Sequence, residues 1–156
     1  NVGPVVLQMR QAGLEGPIVG GDGYDTPDIV SVAGESANNV FFTTHALMDS
    51  EIGTDGIKAF IEAYTEKYGH APENAFAALG YDAIKLLADA IERAGSTDAT
   101  AIQMALMETT DFPGITGSIT FGEGVQIPQK GVTMIEIVDG KFTLAAEVVP
   151  EAVPPA

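Results

Sequence analysis

The sequence predicts an α/β fold organised around a parallel sheet. Two observations lead there: short apolar runs of strand length alternate with longer stretches of helical periodicity, and Gly or Pro punctuates most junctions between them. A third bounds the size, since 156 residues with 46% hydrophobic content suffice for one core of ordinary extent.

Val5, Val6, Met9 and Ala12 share a helical face that ends at Gly13, and Gly16-Pro17 then introduces Ile18-Val19, read as a buried strand. After the glycine-rich turn from Gly20 to Gly23, Thr26 is placed to cap a helix with Pro27 in its first turn. Val40-Phe41-Phe42-Thr43-Thr44 is the next strand. Ile57, Phe60, Ile61, Tyr64 and Tyr68 recur at helical spacing between Thr54 and Gly69. The following helix begins after Pro72, carries Phe76, Leu79, Ala83, Leu86, Leu87, Ala90 and Ile91, and stops at Gly95; Gly80 within it runs against helix propensity. Another helix spans about Asp98 to Thr109. The period then changes to that of strands in Ile119-Thr120-Phe121, Val132 to Val138 and Phe142 to Val148, with Asp139-Gly140 as a hairpin turn. Asp49 to Gly56 is poor in apolar groups and is the candidate crossover, while Val149 to Ala156, with its prolines, reads as a frayed tail.

A formal net charge of -15 repels nucleic acid and anionic lipid at long range, so neither is expected as a partner. The same field favours cationic or zwitterionic ligands, although most of these charges are solvated surface. The absence of cysteine excludes a disulfide framework, a thiolate nucleophile and a zinc ribbon together. No apolar run reaches the length of a membrane span, and no signal-peptide pattern opens the chain. Asn1-Val2-Gly3-Pro4 leads into helical periodicity without an initiator methionine, and the expectation is a fragment of a longer protein.

The most informative stretch is Pro17 to Pro27, where a strand opens through glycines onto a helix start. In open α/β sheets ligands bind outside the carboxyl ends of strands. Gly20, Gly21 and Gly23 let the backbone approach a bound molecule, and Asp22 projects a carboxylate into that space. A phosphate site fits poorly, because the spacing is not GxGxxG and the central aspartate repels an anion. A ligand ammonium fits better, through a charge-assisted hydrogen bond. The competing reading is a plain turn, since Asp and Gly are common turn formers. Metal binding by Asp22, Asp25 and Asp28 lacks the alternating pattern of an EF-hand loop and is not expected; nor is any cofactor.

Phe76, near the start of a helix, can close the apolar side of a pocket, or it can be core. Tyr81 and Asp82 are expected to pack and to hydrogen-bond to neighbouring elements. Catalytic constellations are missing: His45 and His70 have no cysteine or GxSxG serine nearby, and single histidines in such settings are usually structural or solvated. Asp22 and Asp25 could in principle do acid and base work, but an enzyme is not the expectation.

Pro17-Ile-Val-Gly-Gly-Asp-Gly23, Val40 to His45, Phe60-Ile-Glu-Ala-Tyr64 with Lys67-Tyr-Gly69, Phe76 to Ala83, Leu87 to Gly95 and Gly117-Ser-Ile-Thr-Phe121 occur in an order and spacing that resembles the leucine, isoleucine and valine binding proteins of ABC importers. The resemblance covers nearly the whole chain and corresponds to the C-terminal half of the family. It implies the type I periplasmic-binding-protein fold, in which two Rossmann-like lobes joined by crossovers close on an amino acid. It further implies that residues 1–49 belong to lobe 2, 50–56 to a crossover, 57–124 to lobe 1 and 125–148 to closing strands mainly of lobe 2, with 149–156 a flexible tail.

By the same resemblance Asp22 holds the ligand ammonium, Phe76 touches the ligand side chain, Gly21 and Gly23 flank the acid, and Tyr24 shapes the pocket wall. The groups that hold the ligand carboxylate come, in the family, from the N-terminal half. Implied partners are a small amino acid, that N-terminal half and an ABC permease, in the periplasm or anchored outside the cell after signal removal. Exposed lobe surfaces imply self-association of the fragment. A ligand-sensing receptor domain of the same fold, and less readily an α/β hydrolase or transferase fragment, are the alternatives.

Overall fold

A computed structural model of the chain describes residues 2–122 and 126–151. Two sheets organise it, each with its own helices. The first carries helix α1 (Val2–Gln11), strand β1 (Ile18–Gly20), a 3-10 turn (Asp22–Tyr24), helix α2 (Asp28–Ala33), a second 3-10 turn (Gly34–Ala37) and strand β2 (Val40–Thr44). Helices α3 (Asp55–Tyr68), α4 (Ala75–Ala94) and α5 (Ala99–Met107) follow, then strands β3 (Phe112–Gly114), β4 (Gly117–Thr120) and β5 (Gln129–Lys130) of the second sheet. Strands β6 (Val132–Val138) and β7 (Lys141–Val148) return to the first sheet, whose order is β1-β2-β6-β7; the second has the order β3-β4-β5.

The expected parallel pairing is that of β1 with β2, from Ile18 opposite Val40 to Gly20 opposite Phe42. Antiparallel β6 and β7 extend this sheet, and the second sheet is antiparallel throughout. The hairpin turn at Asp139-Gly140 has positive φ at both residues, 50° and 73°, as a two-residue turn of primed type requires. Strand β5 pairs with β4, so the chain passes back to the first sheet at Gly131. The expected division between residues 124 and 125 and the end of the tail lie outside the described residues.

Val6, Ile29, Ala37, Val40, Phe42, Ile135 and Ile137 form the buried centre beside the first sheet, with α1 and α2 packed over it. The inner face of α1 is Val2, Gly3 and Val6, whereas Val5, expected inside, is 49% exposed. Gly3 permits the close crossing, because a Cβ there would lie 2.5 Å from the Asp28 carbonyl oxygen. Val19 is also exposed and corrects the reading of a fully buried strand; β1 ends the sheet, and only its Ile18 side faces the core. The Arg10 guanidinium fixes the approach to β1 by donating to the carbonyls of Leu14, Gly16 and Asn38 at 2.7, 2.6 and 3.0 Å.

Helix α3 is capped by Thr54, which accepts from the Ile57 amide at 3.3 Å, and ends at Gly69 in the left-handed region. Asn74 and Asp98 cap α4 and α5 in the same way. Thr26 accepts from the Asp28 amide at 3.3 Å, so it supports the start of α2, which lies one residue beyond Pro27.

The buried face of α4 is Ala75, Ala78, Asp82, Leu86 and Ala90. Ala83 and Leu87, expected on the core face, point outward, because small residues let this helix approach its neighbours closely. Arg93 ties α4 to α5 through the Ala105 carbonyl at 2.5 Å and the Thr109 hydroxyl at 2.8 Å. Of the candidate crossover Asp49–Gly56, Asp55 and Gly56 already belong to α3, and the residues before them form an ordered turn in which Asp49 Oδ1 accepts from the amides of Glu51 and Ile52 at 2.7 and 2.9 Å. These two bonds hold the Asp49 carboxyl below its ordinary range.

Candidate ligand site

Asp22 opens the turn at the carboxyl end of β1, where the parallel pair gives way to glycines. The turn closes when the Asp25 amide donates to the Asp22 carbonyl at 3.0 Å. From there the two carboxylates part. Asp25 turns inward, only 6% exposed, and its Oδ2 accepts from the Thr44 hydroxyl at 2.6 Å and from the Ala75 amide at 3.0 Å. The Asp22 side chain turns outward, with 57% of its surface open. Asp22 and Asp25 therefore form no joint acid and base pair, and among the described residues no group of three or more His, Asp or Glu is placed to hold a metal.

His45, directly after β2, lies against both residues that the sequence marks for the ligand. Its Nε2 stands 3.9 Å from Asp22 Oδ2, and its ring meets Phe76 edge to face with centroids 5.6 Å apart. Phe76 is 42% exposed, so its core reading does not hold. Burial, helped by the charge of Lys130, holds the His45 ring below the ordinary histidine range, and Asp22 and Asp25 oppose the shift without reversing it. At neutral pH the ring is therefore uncharged, and 3.9 Å is too long for a hydrogen bond. Among the described residues His45 is the one ion-pair partner within reach of the Asp22 carboxylate, and it brings no charge at that pH.

Gly21 and Gly23 face open space on either side of Asp22. Gly20 is different: a Cβ there would meet the Tyr24 ring at 2.5 to 2.6 Å, so glycine admits that ring against the end of β1. Tyr24 is half-buried and packs on the core of the first sheet. Asp22, His45 and Phe76 thus form one group through His45, with Gly21 and Gly23 flanking Asp22, while the Tyr24 ring packs against Gly20 and the core of the first sheet.

A cleft of about 840 Å³ opens between the start of α3, the β3–β4 hairpin and the β5–β6 junction. His45 lines it together with Thr54, Thr116, Lys130 and Leu144; Asp22, Phe76, Gly21, Gly23 and Tyr24 do not. The Lys130 ammonium donates to the Thr116 carbonyl, and burial holds it below the ordinary lysine range while Asp82 opposes the shift. As expected, Asp82 hydrogen-bonds to a neighbouring element, accepting from the amides of Ile115 and Thr116, each at 2.8 Å, and from the Thr116 hydroxyl at 2.6 Å. Tyr81 packs beside Phe60 with centroids 5.5 Å apart.

Sequence reasoning read His45 as structural or solvated and passed over the Asp25–Thr44–Ala75 junction. The rule that singles out Asp22, a residue at the carboxyl end of a strand, applies equally to His45 after β2 and is the signal that could have found it.

A family model described as periplasmic binding protein matches residues 1–141. The chain belongs to that family. Among solved structures, this periplasmic binding protein is similar to the leucine binding protein LivK of Thermotoga maritima, with a TM-score of 0.80 and 36% identity over 96% of this chain and 42% of that one. It is also similar to the branched-chain amino acid transporter substrate binding protein LivJ of Streptococcus pneumoniae, solved in complex with isoleucine, with a TM-score of 0.74 and 35% identity over 95% of this chain and 41% of that one. A curated relative, the Leu/Ile/Val-binding protein BraC3 of Rhizobium johnstonii, is 28% identical over 92% of this chain and 38% of its own length. The chain therefore spans about two fifths of these periplasmic binding proteins, and its α/β fold is part of the type I architecture. These relatives are binding proteins rather than enzymes.

Proposed function

We propose that this chain supplies the ammonium side of the ligand site in the solute-binding component of an ABC importer. The ligand is a small apolar amino acid of the branched-chain class, held between two lobes. The observation that carries the proposal is the Asp22 carboxylate, open to a ligand, beside a neutral His45 whose ring in turn meets an exposed Phe76. A protonated amine would pair with the carboxylate, and an aliphatic side chain would pack on the ring.

In this reading residues 1–49 and most of 125–148 belong to one lobe, 57–124 to the other, and 50–56 to the crossover. The partition of strands and helices between two sheets supports that assignment. The groups that bind the ligand carboxylate belong to the remainder of a longer protein, in keeping with relatives more than twice the length of this chain. That remainder would cover the outward apolar side of α4, where Phe76, Ile84 and Leu87 are exposed, and working partners would include an ABC permease, in the periplasm or outside the cell.

Calorimetric titration of the complete protein with leucine and with 4-methylpentanoate, which lacks only the amine, tests the proposal. Saturable leucine binding, with the amine-free analogue about 100-fold weaker, is the expected result. Equal affinity for the two ligands would remove the ammonium reading.

A further inference from the structure

The buried carboxylate of Asp25 makes none of the ligand contacts assigned above, yet three segments of the chain converge on it. Its Oδ2 takes hydrogen bonds from the Thr44 hydroxyl and the Ala75 amide, and its own amide is bonded to the Asp22 carbonyl. Thr44 and Ala75 immediately precede His45 and Phe76, and Asp22 starts the short turn that Asp25 closes. Every residue of the candidate group is thus one residue, or one turn, from a bond made by Asp25.

We infer that Asp25 is the positioning residue of the amino-acid site, fixing Asp22, His45 and Phe76 relative to one another; the inference rests on the ammonium reading of Asp22. Burying a carboxylate is costly unless well-placed donors replace its water, and here a hydroxyl and a helix-terminal amide do so. The Asp25–Ala75 bond also joins the turn after β1 to the first residue of α4, two elements 50 positions apart in sequence. Under the lobe assignment above, that bond crosses between lobes and brings Phe76 towards Asp22. The acid and the ring are also joined through His45, which lies against both and follows Thr44 directly.

The test compares two selectivity ratios in the complete protein: leucine over 4-methylpentanoate, which reads Asp22, and leucine over alanine, which reads Phe76. Asp25→Ala is expected to lower both ratios about tenfold. Asp22→Asn should lower only the first and Phe76→Ala only the second. Asp25→Asn should restore most of both, because its carbonyl oxygen can accept from Thr44 and Ala75 together. A residue that served stability alone would change the melting temperature and leave both ratios of the folded protein at wild-type values, and that result would overturn the inference. Should Asp25→Ala fail to fold, Thr44→Val decides: a smaller fall in both ratios supports the role, and unchanged ratios refute it. Asp22→Asn with an unchanged first ratio would refute the ammonium reading itself, independently of what Asp25→Ala does.

Discussion

The imidazole of His45 faces the Asp22 carboxylate across 3.9 Å, close enough for an ion pair when protonated and too far for a hydrogen bond when neutral. Which state prevails is set by burial and Lys130, which lower the His45 pKa from 6.5, against Asp22 and Asp25, which raise it. Above that lowered pKa the ring is neutral and the acid is open to a ligand amine. As pH falls through it, a histidinium forms beside Asp22 and competes with the ammonium. Leucine affinity is therefore expected to fall below pH 6.5, and His45→Gln should flatten the profile in that window; titrations from pH 7.5 to 5 check it. The same depressed pKa means that the unfolded chain binds the proton more readily. This contribution to stability is fully present above pH 6.5 and is lost as pH falls through the folded-state pKa.

Asp82 makes a prediction about stability. It is 1% exposed and accepts three hydrogen bonds from Ile115 and Thr116 in the β3–β4 turn, which Gly114 accommodates because a Cβ there would lie 2.7 Å from Asp82 Oδ2. Asp82→Ala strands two amides and a hydroxyl in a buried site and should destabilise the intact protein by about 3 kcal/mol in urea unfolding. Asp82→Asn, which keeps acceptor capacity, should cost less. Equal stability of Asp82→Ala and wild type would show that the turn holds its shape without this residue.

The chain on its own presents exposed apolar side chains at Phe76, Ile84, Leu87 and Met104. If the rest of a longer protein covers them and supplies the carboxylate side of the site, the isolated chain should bind leucine at least about 100-fold more weakly than the complete protein. It should also self-associate in sedimentation. Wild-type affinity from a compact monomer would contradict both expectations.

Local signals made much of this fold legible. Thr54 and Gly69 bracket α3, Gly95 ends α4, and Asp139-Gly140 supplies the positive φ values of the β6–β7 turn, so neighbouring residues suffice to specify these elements. Strands β3 and β5 were not legible, because residues as ordinary as Phe112–Gly114 and Gln129–Lys130 become strands only where β4 is available to pair with them. The inner face of α4 was legible only in part. Helical spacing places Leu86 and Ala90 there, but a search for large apolar residues also selects Phe76 and Leu87, which are exposed, and passes over Ala75 and Ala78, which are buried on the same helix as Asp82. At the candidate site Asp22 stood out because a strand, glycines and an acid fall together in sequence. Asp25 and Thr44 did not, since their hydrogen bond spans 19 positions and looks, residue by residue, like ordinary turn and strand chemistry.

Replacing the charge of Asp22 while keeping its shape tests most directly whether this carboxylate is the counter-ion of a ligand amine. In calorimetric titration of the complete protein, Asp22→Asn should weaken leucine binding by about 2 to 3 kcal/mol, some 30- to 150-fold, with no loss of thermal stability. Leucine affinity unchanged by Asp22→Asn would contradict the account.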